Sequence, residues 1–204
     1  MAACPELSRR DRLVVSGDPP EVADLVGEVL PLTGPSFRPM GAENLVDEVV
    51  RRVPGLRIAG RFGWMDVTGP VAVDDGGAEP RWLGDDLTEV AALLDEAFPA
   101  SYARPGGPGV HRWAGLRDDD GRLLAVAADA WSTPAVGFLA GVATRPDARG
   151  RGLATALCAF VTNELLAGRS RVALLADYGN VAAVTTYRKL GFDLRPLAAA
   201  HRQT

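Results

Sequence analysis

The pattern of apolar and polar positions alternates between helical and strand periodicity, which is typical of an α/β chain. Apolar residues recur at helical spacing from Leu87 to Phe98, and Asp86 before them is a suitable N-cap. Two apolar runs of strand length follow, Val110 to Leu116 and Arg122 to Trp131. The sequence Asp118-Asp119-Asp120-Gly121 between them predicts a tight turn. We therefore expect a helix followed by two strands that this turn connects.

Five further elements are expected after Ser132-Thr133-Pro134, which turns the chain into the next strand. Strands and helices with apolar faces alternate: Ala135 to Thr144 (strand), Leu153 to Leu165 (helix), Val172 to Ala176 (strand), Asn180 to Leu190 (helix) and Phe192 to Leu197 (strand). The tail from Ala198 to Thr204 looks too short and too polar for a further full strand. Either the final strand is abbreviated, or another segment completes the sheet.

The first eighty residues predict a smaller α/β region, residues 1–80, ahead of a larger domain over residues 81–204. Its expected elements are Leu13 to Val15 (strand), Pro20 to Leu30 (helix), Asn44 to Val53 (helix), and a hairpin of Leu56 to Ala59 and Phe62 to Val67 around Gly60-Arg61. The stretch from Val73 to Pro80, with Asp-Asp-Gly-Gly at its centre, is the expected linker.

A glycine-rich turn, Arg149-Gly150-Arg151-Gly152-Leu153-Ala154, lies between a predicted strand and a predicted helix. Backbone N–H groups at the start of a helix are unpaired and attract phosphate, and glycine lets a phosphate approach the backbone. The two arginines add charge-assisted contacts. The turn therefore predicts an anion site, most consistent with a pyrophosphate.

Spacing separates three phosphate-binding motifs. A Walker loop needs Gly, four residues and then Gly-Lys-Ser/Thr, which this sequence lacks. A dinucleotide fingerprint needs a third small residue where Thr155 stands, and it follows its strand more directly. The sequence Arg149-x-x-Gly152-x-Ala154 instead resembles the Arg/Gln-x-x-Gly-x-Gly/Ala pyrophosphate loop of the GNAT superfamily of acyl-CoA-dependent N-acyltransferases.

A second stretch carries the same resemblance. The segment from Asn180 to Phe192 is similar, at every named position, to the family's closing signature Asn-x-x-Ala-x-x-x-Tyr-x-x-x-Gly-Phe. Asn180 suits a helix N-cap, and Gly191 suits the left-handed residue that ends a helix. Asn180, Ala183 and Tyr187 fall on one helix face. The resemblance covers roughly Trp82 to Leu197.

The resemblance implies both a fold and a function. The fold is expected to be α/β, with a central mixed but mostly antiparallel sheet flanked by helices. The first eighty residues would resemble a degenerate copy of it, and would either wall the acceptor pocket or serve a purely structural role. The function would be transfer of an acetyl group from acetyl-CoA to a primary amine of a small molecule or peptide, by direct attack in a ternary complex.

The resemblance also assigns cofactor-binding residues. The amides around Arg149, Gly150, Arg151, Gly152, Leu153 and Ala154 would hold the pyrophosphate of acetyl-CoA. The pantetheine arm would pair with the backbone of Val142, Ala143 and Thr144, where that strand separates from its neighbour. The same amides would support a developing oxyanion. Asn180 would either contact the cofactor or only cap its helix, and Arg151 would either bind phosphate or be a solvated surface charge.

Catalytic groups are less fully specified. Tyr187 fits by motif position as the acid for the departing thiolate, because a phenol titrates near 10, although a packed helix tyrosine is the alternative. The predicted strand before the glycine turn carries no carboxylate for a base. Asp129 is our first choice, against an ordinary exposed aspartate, with His111, Asp177 and a water chain as the other options. Trp131 would either wall the acceptor pocket or fill core.

Composition narrows the partners. The chain has 204 residues, of which 47% are hydrophobic and 24% charged, an ordinary globular balance. A net charge of −4 argues against a large nucleic-acid footprint, and no apolar run approaches the roughly 20 residues that cross a bilayer. Two cysteines and two histidines give little support for a metal site. We expect no metal, nucleic-acid or membrane partner, a cytoplasmic location, and a monomer or homodimer.

Two other functions stay open at this point. One is a non-catalytic acyl-CoA-binding module, acting as a sensor or partner subunit, which the missing carboxylate favours. The other is a nucleotide-dependent oxidoreductase, which the Gly150/Gly152 pair suggests but the absence of a suitable acidic ribose residue opposes. Acceptor recognition is expected in the loop near Ser101 to Pro108 and in the N-terminal region, so the sequence leaves the acceptor and the acyl chain length undefined.

Overall fold

The computed structural model describes residues 1–7, 10–72 and 79–203. The predicted linker from Val73 to Pro80 falls mostly on residues 73–78, which lie outside the described residues. The described chain is a mixed α/β fold, as predicted. Its elements are β1 (Ala2–Leu7), β2 (Arg10–Val14), α1 (Pro19–Thr33), β3 (Arg38–Ala42), α2 (Glu43–Arg52), β4 (Leu56–Val67), β5 (Arg81–Trp82), α3 (Thr88–Ala97), β6 (Val110–Arg117), β7 (Leu123–Ala130), β8 (Val136–Thr144), α4 (Leu153–Leu166), β9 (Arg171–Asp177), α5 (Val181–Lys189) and β10 (Asp193–Arg202).

The chain divides into two compact units. The first comprises Met1–Trp64, Ala176–Asn180 and Leu194–Thr204, and the second comprises Met65–Leu175 and Val181–Asp193. Most of β10 is thus grouped with the N-terminal segment, which differs from a simple division at residue 80. The domain boundary at residue 80 stays a prediction.

In the first unit, strands of both orientations are covered by α1 and α2. β1 pairs antiparallel with β2, β2 pairs parallel with β3, and β3 pairs antiparallel with β10. α1 begins after Asp18, whose carboxylate accepts a hydrogen bond from the N–H of Glu21 at 3.4 Å, and prolines occupy its first turn, where no N–H is needed. The helices and strands enclose an apolar core: Leu13, Val15, Val22, Ala23, Val26, Leu30, Leu45, Val49 and Leu56.

The predicted hairpin around Gly60-Arg61 is wrong, because β4 is a single strand of 12 residues through that point. Gly60 does not adopt the positive φ that a two-residue hairpin turn requires. Arg61 is held in the strand by ion pairs of 2.6 Å to both Glu43 and Asp47 of α2. The strand is also hydrogen-bonded to β10, and this pairing with a segment far away in the sequence overrides the local turn signal.

The C-terminal tail also differs from the expectation, since β10 runs on to Arg202 instead of ending at Leu197. Ala198 and Ala200 are fully buried against Val46 of α2, so small side chains there serve packing. Antiparallel pairing with β3 and a hydrogen bond of 2.8 Å from the N–H of Gln203 to the carbonyl of Gly55 fix the strand. The tail therefore belongs to β10 itself, which excludes the alternative of an abbreviated further strand after it.

In the second unit, β5, β6, β7 and β8 pair antiparallel in turn, and β8 pairs parallel with β9. The predicted turn between β6 and β7 is confirmed: the N–H of Gly121 donates to the carbonyl of Asp118 at 3.0 Å. Asp86 accepts a hydrogen bond of 3.1 Å from the N–H of Thr88, the first residue of α3, but the N-cap of the helix is Leu87 and not Asp86 as expected. None of the helices within the described ranges is long and apolar enough to cross a membrane.

Candidate functional site

Strand β8 contains a β-bulge. Ala128 of β7 pairs with Ala140, whereas Val126 pairs with Ala143, so β8 has one more residue than β7 over this stretch. Gly141 in the bulge has a φ of +61°, a left-handed conformation that favours glycine. The bulge interrupts the regular ladder directly before Val142, where the sequence predicts cofactor contacts.

The bulge is packed closely from one side. A Cβ on Gly141 would lie 2.6 Å from Cη2 of Trp113 and 3.1 Å from Cβ of Ala103. Trp113 is 1% exposed and lies in the core formed with Val90, Leu94 and Ala143. The indole and the 98–109 loop, which carries Ala103, therefore both press against the irregular part of β8.

Beyond the bulge, β8 separates from β9 and stays paired with β7. Between residues 136 and 177, all of which are described, the parallel pairing of β8 with β9 reaches only as far as Phe138 and Ala173. The N–H of Arg145 donates to a carbonyl of β7 at 2.9 Å, so Arg145 faces β7. In an extended strand the alternate backbone groups, those of Thr144 and Val142, are then directed away from β7.

The glycine turn after β8 has an open surface. Gly150 and Gly152 are both left-handed, with φ of +75° and +77°, and a Cβ on either would meet no heavy atom within 4 Å. α4 begins at Leu153, and the glycine before it provides no side-chain cap. The amides of the first turn, those of Leu153 and Ala154 among them, are thus arranged as in helix N-termini that bind anions.

The two arginines of the turn have different environments. Arg149 donates from Nε to the carbonyl of Thr144 at 3.3 Å and, over a longer 3.5 Å, from Nη2 to the carbonyl of Ala97. It therefore connects the end of β8 with the end of α3, a role that the sequence motif does not indicate. Arg151 is exposed at the tip of the turn.

Tyr187 lies on α5 and is 7% exposed, with its ring centroid 5.9 Å from that of Phe192. Its carbonyl accepts a hydrogen bond from the N–H of Phe192 at 3.0 Å, past the left-handed Gly191 that ends the helix as predicted. Burial, and next the neighbouring Cys158, raise the pKa of Tyr187 well above its usual value. The phenol therefore stays protonated at neutral pH. Cys158 is fully buried, and burial raises the pKa of its thiol to about 12.

Asp129 is buried, which differs from the exposed aspartate considered above. One carboxylate oxygen accepts a hydrogen bond from Nε of Arg112 at 3.3 Å, and the other accepts one from the hydroxyl of Ser132. The guanidinium of Arg112 lies 3.6 Å above the ring of Trp82, which in turn contacts Phe160 of α4. Asp129 is thus linked to the α4 side of the sheet, whereas Ala103 packs in the core on the α3 side.

The remaining sequence candidates are Asn180, Asp177 and His111. Asn180 belongs to the first unit, where its N–H donates to the carbonyl of Asp177 at 3.0 Å. The carboxylate of Asp177 accepts a hydrogen bond from the N–H of Gly179 at 2.7 Å and so shapes the turn after β9. His111 is exposed in the second unit, at an irregularity of β6.

Sequence reasoning missed Gly141, Trp113 and Ala103, which build the bulge together. One signal was available, because a glycine inside a strand pattern often marks a bulge or a close approach of another chain segment. The contact with Trp113 and Ala103 carries no local signal, since these residues are brought together only by the fold.

A family model described as "FR47-like protein" matches residues 114–201. The chain is 25% identical to a GNAT-family acetyltransferase candidate from Novosphingobium aromaticivorans, with 95% of this chain and 88% of that one covered and a TM-score of 0.61. A GCN5-related N-acetyltransferase from Kribbella flavida is 23% identical, with coverage of 95% and 82% and a TM-score of 0.69. A GNAT-family acetyltransferase from Colwellia psychrerythraea is 15% identical, with coverage of 90% and 72% and a TM-score of 0.61. No curated protein matches the chain.

The bulged strand, the open glycine turn before α4 and the segment that ends at Phe192 together define the acyltransferase class of α/β proteins. The sequence motifs, the family match over residues 114–201 and the fold shared with solved GNAT structures support a GNAT-superfamily acyltransferase. Proteins with this fold generally use acyl-CoA as a co-substrate and transfer its acyl group. The structures below 25% identity support the fold alone.

Proposed function

We propose that the chain is an N-acetyltransferase that moves an acetyl group from acetyl-CoA to a primary amine of a small molecule or peptide, in a ternary complex. One observation carries the proposal: three backbone features follow one another along a single stretch of the second unit. These are the bulge at Gly141, the separated end of β8 and the open glycine turn. Their order matches that of the thioester, the pantetheine arm and the diphosphate in acyl-CoA.

The diphosphate is assigned to the glycine turn. The amides from Gly150 to Ala154 offer hydrogen bonds, and the open space beside the two glycines allows phosphate oxygens to reach them. Arg151, at the exposed tip, supplies a cation. Arg149 acts mainly by holding the turn to β8 and α3, since it already donates to two carbonyls.

The pantetheine arm is assigned to the outward-facing backbone of β8. Its amides would pair with Val142 and Thr144 in the manner of an added strand, with the carbonyl of Thr144 shared with Arg149. The main-chain N–H groups at the bulge would face the thioester carbonyl and stabilise the oxyanion as it forms. Ala143 contributes packing, since it pairs with Val126 and is 6% exposed.

In the proposed reaction the amine nitrogen attacks the thioester carbon, the C–S bond breaks, and the sulfur leaves as a thiolate. A thiol titrates near 8.5, well below the raised pKa of Tyr187. Complete proton transfer from this tyrosine to the sulfur is therefore uphill. We assign Tyr187 the role of a hydrogen-bond donor that stabilises the departing thiolate.

The attacking amine must also lose a proton. Both carboxylate oxygens of Asp129 accept hydrogen bonds, and the carboxylate of Asp177 accepts one within its own turn. Asp129 stays a prediction as the base, and its contacts favour a structural role. Because these carboxylates already accept hydrogen bonds, we assign removal of the amine proton to a chain of water molecules that leads to solvent.

A screen for thiol release from acetyl-CoA across classes of amines tests the proposal. We expect turnover with at least one class, and heat of binding with acetyl-CoA in calorimetry. The absence of binding to any CoA thioester would refute the transferase assignment.

A non-catalytic acyl-CoA-binding module is the second candidate. It is favoured by one observation, namely that Asp129 is already held by Arg112 and Ser132 instead of facing open space. Binding of acetyl-CoA without thiol release in any amine class would support this candidate over the enzyme.

A further inference from the structure

We infer that Trp131 is a positioning residue that fixes the loop of residues 98–109 against the bulge of β8, and so sets the affinity for the acceptor amine. The inference rests on the proposed function, because it concerns the acceptor side of the same site. Trp131 lies outside both sequence motifs, on the connection between β7 and β8.

The backbone of Trp131 is held in a disfavoured conformation. Its φ is +55°, a region that bulky residues rarely adopt. Its N–H donates to the carbonyl of Gly109 at 2.6 Å, and its indole Nε1 donates to the carbonyl of Pro108 at 3.1 Å. Its ring also meets Phe138 of β8 edge-on, with centroids 6.2 Å apart. Such strain persists only where surrounding contacts hold it, and it clusters at functional sites.

The end of the loop is fitted to this indole. A Cβ on Gly109 would lie 2.5 Å from Cδ1 of Trp131 and 2.8 Å from its Nε1. Two features therefore require glycine at this position: the neighbouring tryptophan leaves no room for a Cβ, and the φ of +74° is left-handed. The two hydrogen bonds and the contact together fix the point where the loop enters β6.

The other parts of the loop are tied to α3 and to the bulge. Arg104 forms an ion pair of 2.7 Å with Asp95 of α3 and donates to the carbonyl of Pro99. The hydroxyl of Ser101 donates to the carbonyl of Ala103 at 2.9 Å, and both residues are 1% exposed. Ala103 is the part of the loop that abuts Gly141. A shift at the Trp131 end would thus disturb the contact with the bulge.

If the proposed site is correct, this loop forms one wall of the space that the acceptor amine enters. The bulge is where the thioester carbonyl is assigned, and an amine that attacks it must pass the loop that packs there. Trp131 meets β8 at Phe138, near the start of the strand, whereas the glycine turn follows its far end. Loosening the loop should therefore affect the acceptor more than the binding of acetyl-CoA.

A pair of glycine variants isolates the indole contact. Gly106 in the same loop has a φ of +72°, nearly that of Gly109, but a Cβ there meets nothing within 4 Å. Gly106→Ala and Gly109→Ala thus impose similar backbone strain, and only the second collides with Trp131. Trp131→Phe removes the Nε1 hydrogen bond, and Trp131→Ala removes the whole side chain.

We expect Gly109→Ala and Trp131→Ala to raise the KM for the acceptor about tenfold, and Trp131→Phe about threefold, with the Kd for acetyl-CoA changed less than about twofold. Hydrogen exchange gives a readout that needs no activity. The amides of Gly107 and Val110, which donate to carbonyls within the loop, should exchange faster in Trp131→Ala. If Trp131→Ala does not fold, Trp131→Phe and the glycine pair keep the test decisive.

Equal KM changes in Gly106→Ala and Gly109→Ala would overturn the inference, as would unaltered loop exchange in the tryptophan variants. An increase in the Kd for acetyl-CoA that matches the increase in KM would also overturn it, since it would point to general disorder. Absence of transfer by the unmodified chain would instead refute the proposed function and the acceptor assignment with it. Unchanged acceptor kinetics in a working enzyme would refute this inference alone.

Discussion

Gly141 lies so close to Trp113 that a Cβ on the glycine would fall 2.6 Å from the indole Cη2. The contact has two consequences. It requires glycine in the bulge of β8, and it places a rigid aromatic ring behind the backbone groups to which the thioester is assigned. The position of the bulge is therefore set by the core of the second unit.

Gly141→Ala should destabilise the protein and weaken acetyl-CoA binding. The new methyl group would overlap the indole and would also strain a backbone with a φ of +61°, for a combined loss of about 3 kcal/mol in the free energy of unfolding. Gly121→Ala is the matched control, because Gly121 has a φ of +82° with open space around it and should lose only about 1 kcal/mol. Urea unfolding of both variants measures the difference, and equal losses would contradict the packing argument.

Tyr187→Phe should lower turnover more than it weakens cofactor binding. The phenol hydroxyl is assigned to the thiolate that forms only as the bond breaks, so its removal should reduce kcat by about 100-fold. The Kd for acetyl-CoA should change by less than about threefold, since the ring still packs against Phe192. Steady-state kinetics and calorimetry on the same preparation decide the matter. Unaltered kcat would remove the donor role from Tyr187.

Cys158 should make the stability of the protein depend on alkaline pH. Its thiol has a pKa of about 12 in the folded chain against a usual value of 9.0, so the folded state keeps a proton that the unfolded state releases. This contribution is fully present below pH 9 and is lost as the pH rises towards 12, by about 1.4 kcal/mol per pH unit. Burial also raises the pKa of Tyr187, which adds to the loss only above its usual value of 10.0.

Cys158→Ala provides the test of that dependence. The variant should lose stability at neutral pH through the smaller side chain, yet its free energy of unfolding should fall less steeply between about pH 9 and pH 10. Urea denaturation over this range gives the slope directly. An identical slope in the variant and the unmodified chain would show that the thiol does not titrate as described.

Charge reversal in the glycine turn should separate the two arginines. Arg151→Glu places a negative charge beside the assigned diphosphate and should weaken acetyl-CoA binding about tenfold, with a smaller effect at high salt. Arg149→Glu should weaken it at least as much, but with less dependence on salt, because it also removes the hydrogen bonds to the carbonyls of Thr144 and Ala97. Calorimetry at low and high ionic strength distinguishes the two. Unchanged affinity in both variants would contradict the diphosphate assignment.

The sequence predicted those parts of the fold and site that depend on neighbouring residues. The glycine turn, the start of α4 and the turn at Asp118 follow from local backbone chemistry, so short motifs identified them. The continuous strand β4 could not be predicted in this way, because its pairing with β10, far away in the sequence, overrides the turn signal at Gly60.

Side-chain environments were harder to predict than elements. The burial of Asp129 depends on Arg112, which lies 17 positions away in the sequence on the neighbouring strand. The interior alanines of β10 carry little hydrophobic signal, yet Ala198 and Ala200 are buried against Val46. Contacts of this kind arise from strand pairing between distant segments, and a single sequence does not specify them.

The antiparallel pairing of β10 with β3 has a practical implication for any attempt to dissect the protein. A fragment that starts at residue 81 would lack β3. The backbone N–H and C=O groups of β10 that pair with β3 would then form an exposed strand edge, which favours aggregation. A fragment that stops at residue 80 would lose the buried alanines of β10 that cover Val46. Expression trials and affinity tags are therefore best designed around the intact polypeptide, with the region from Leu194 onward left in place.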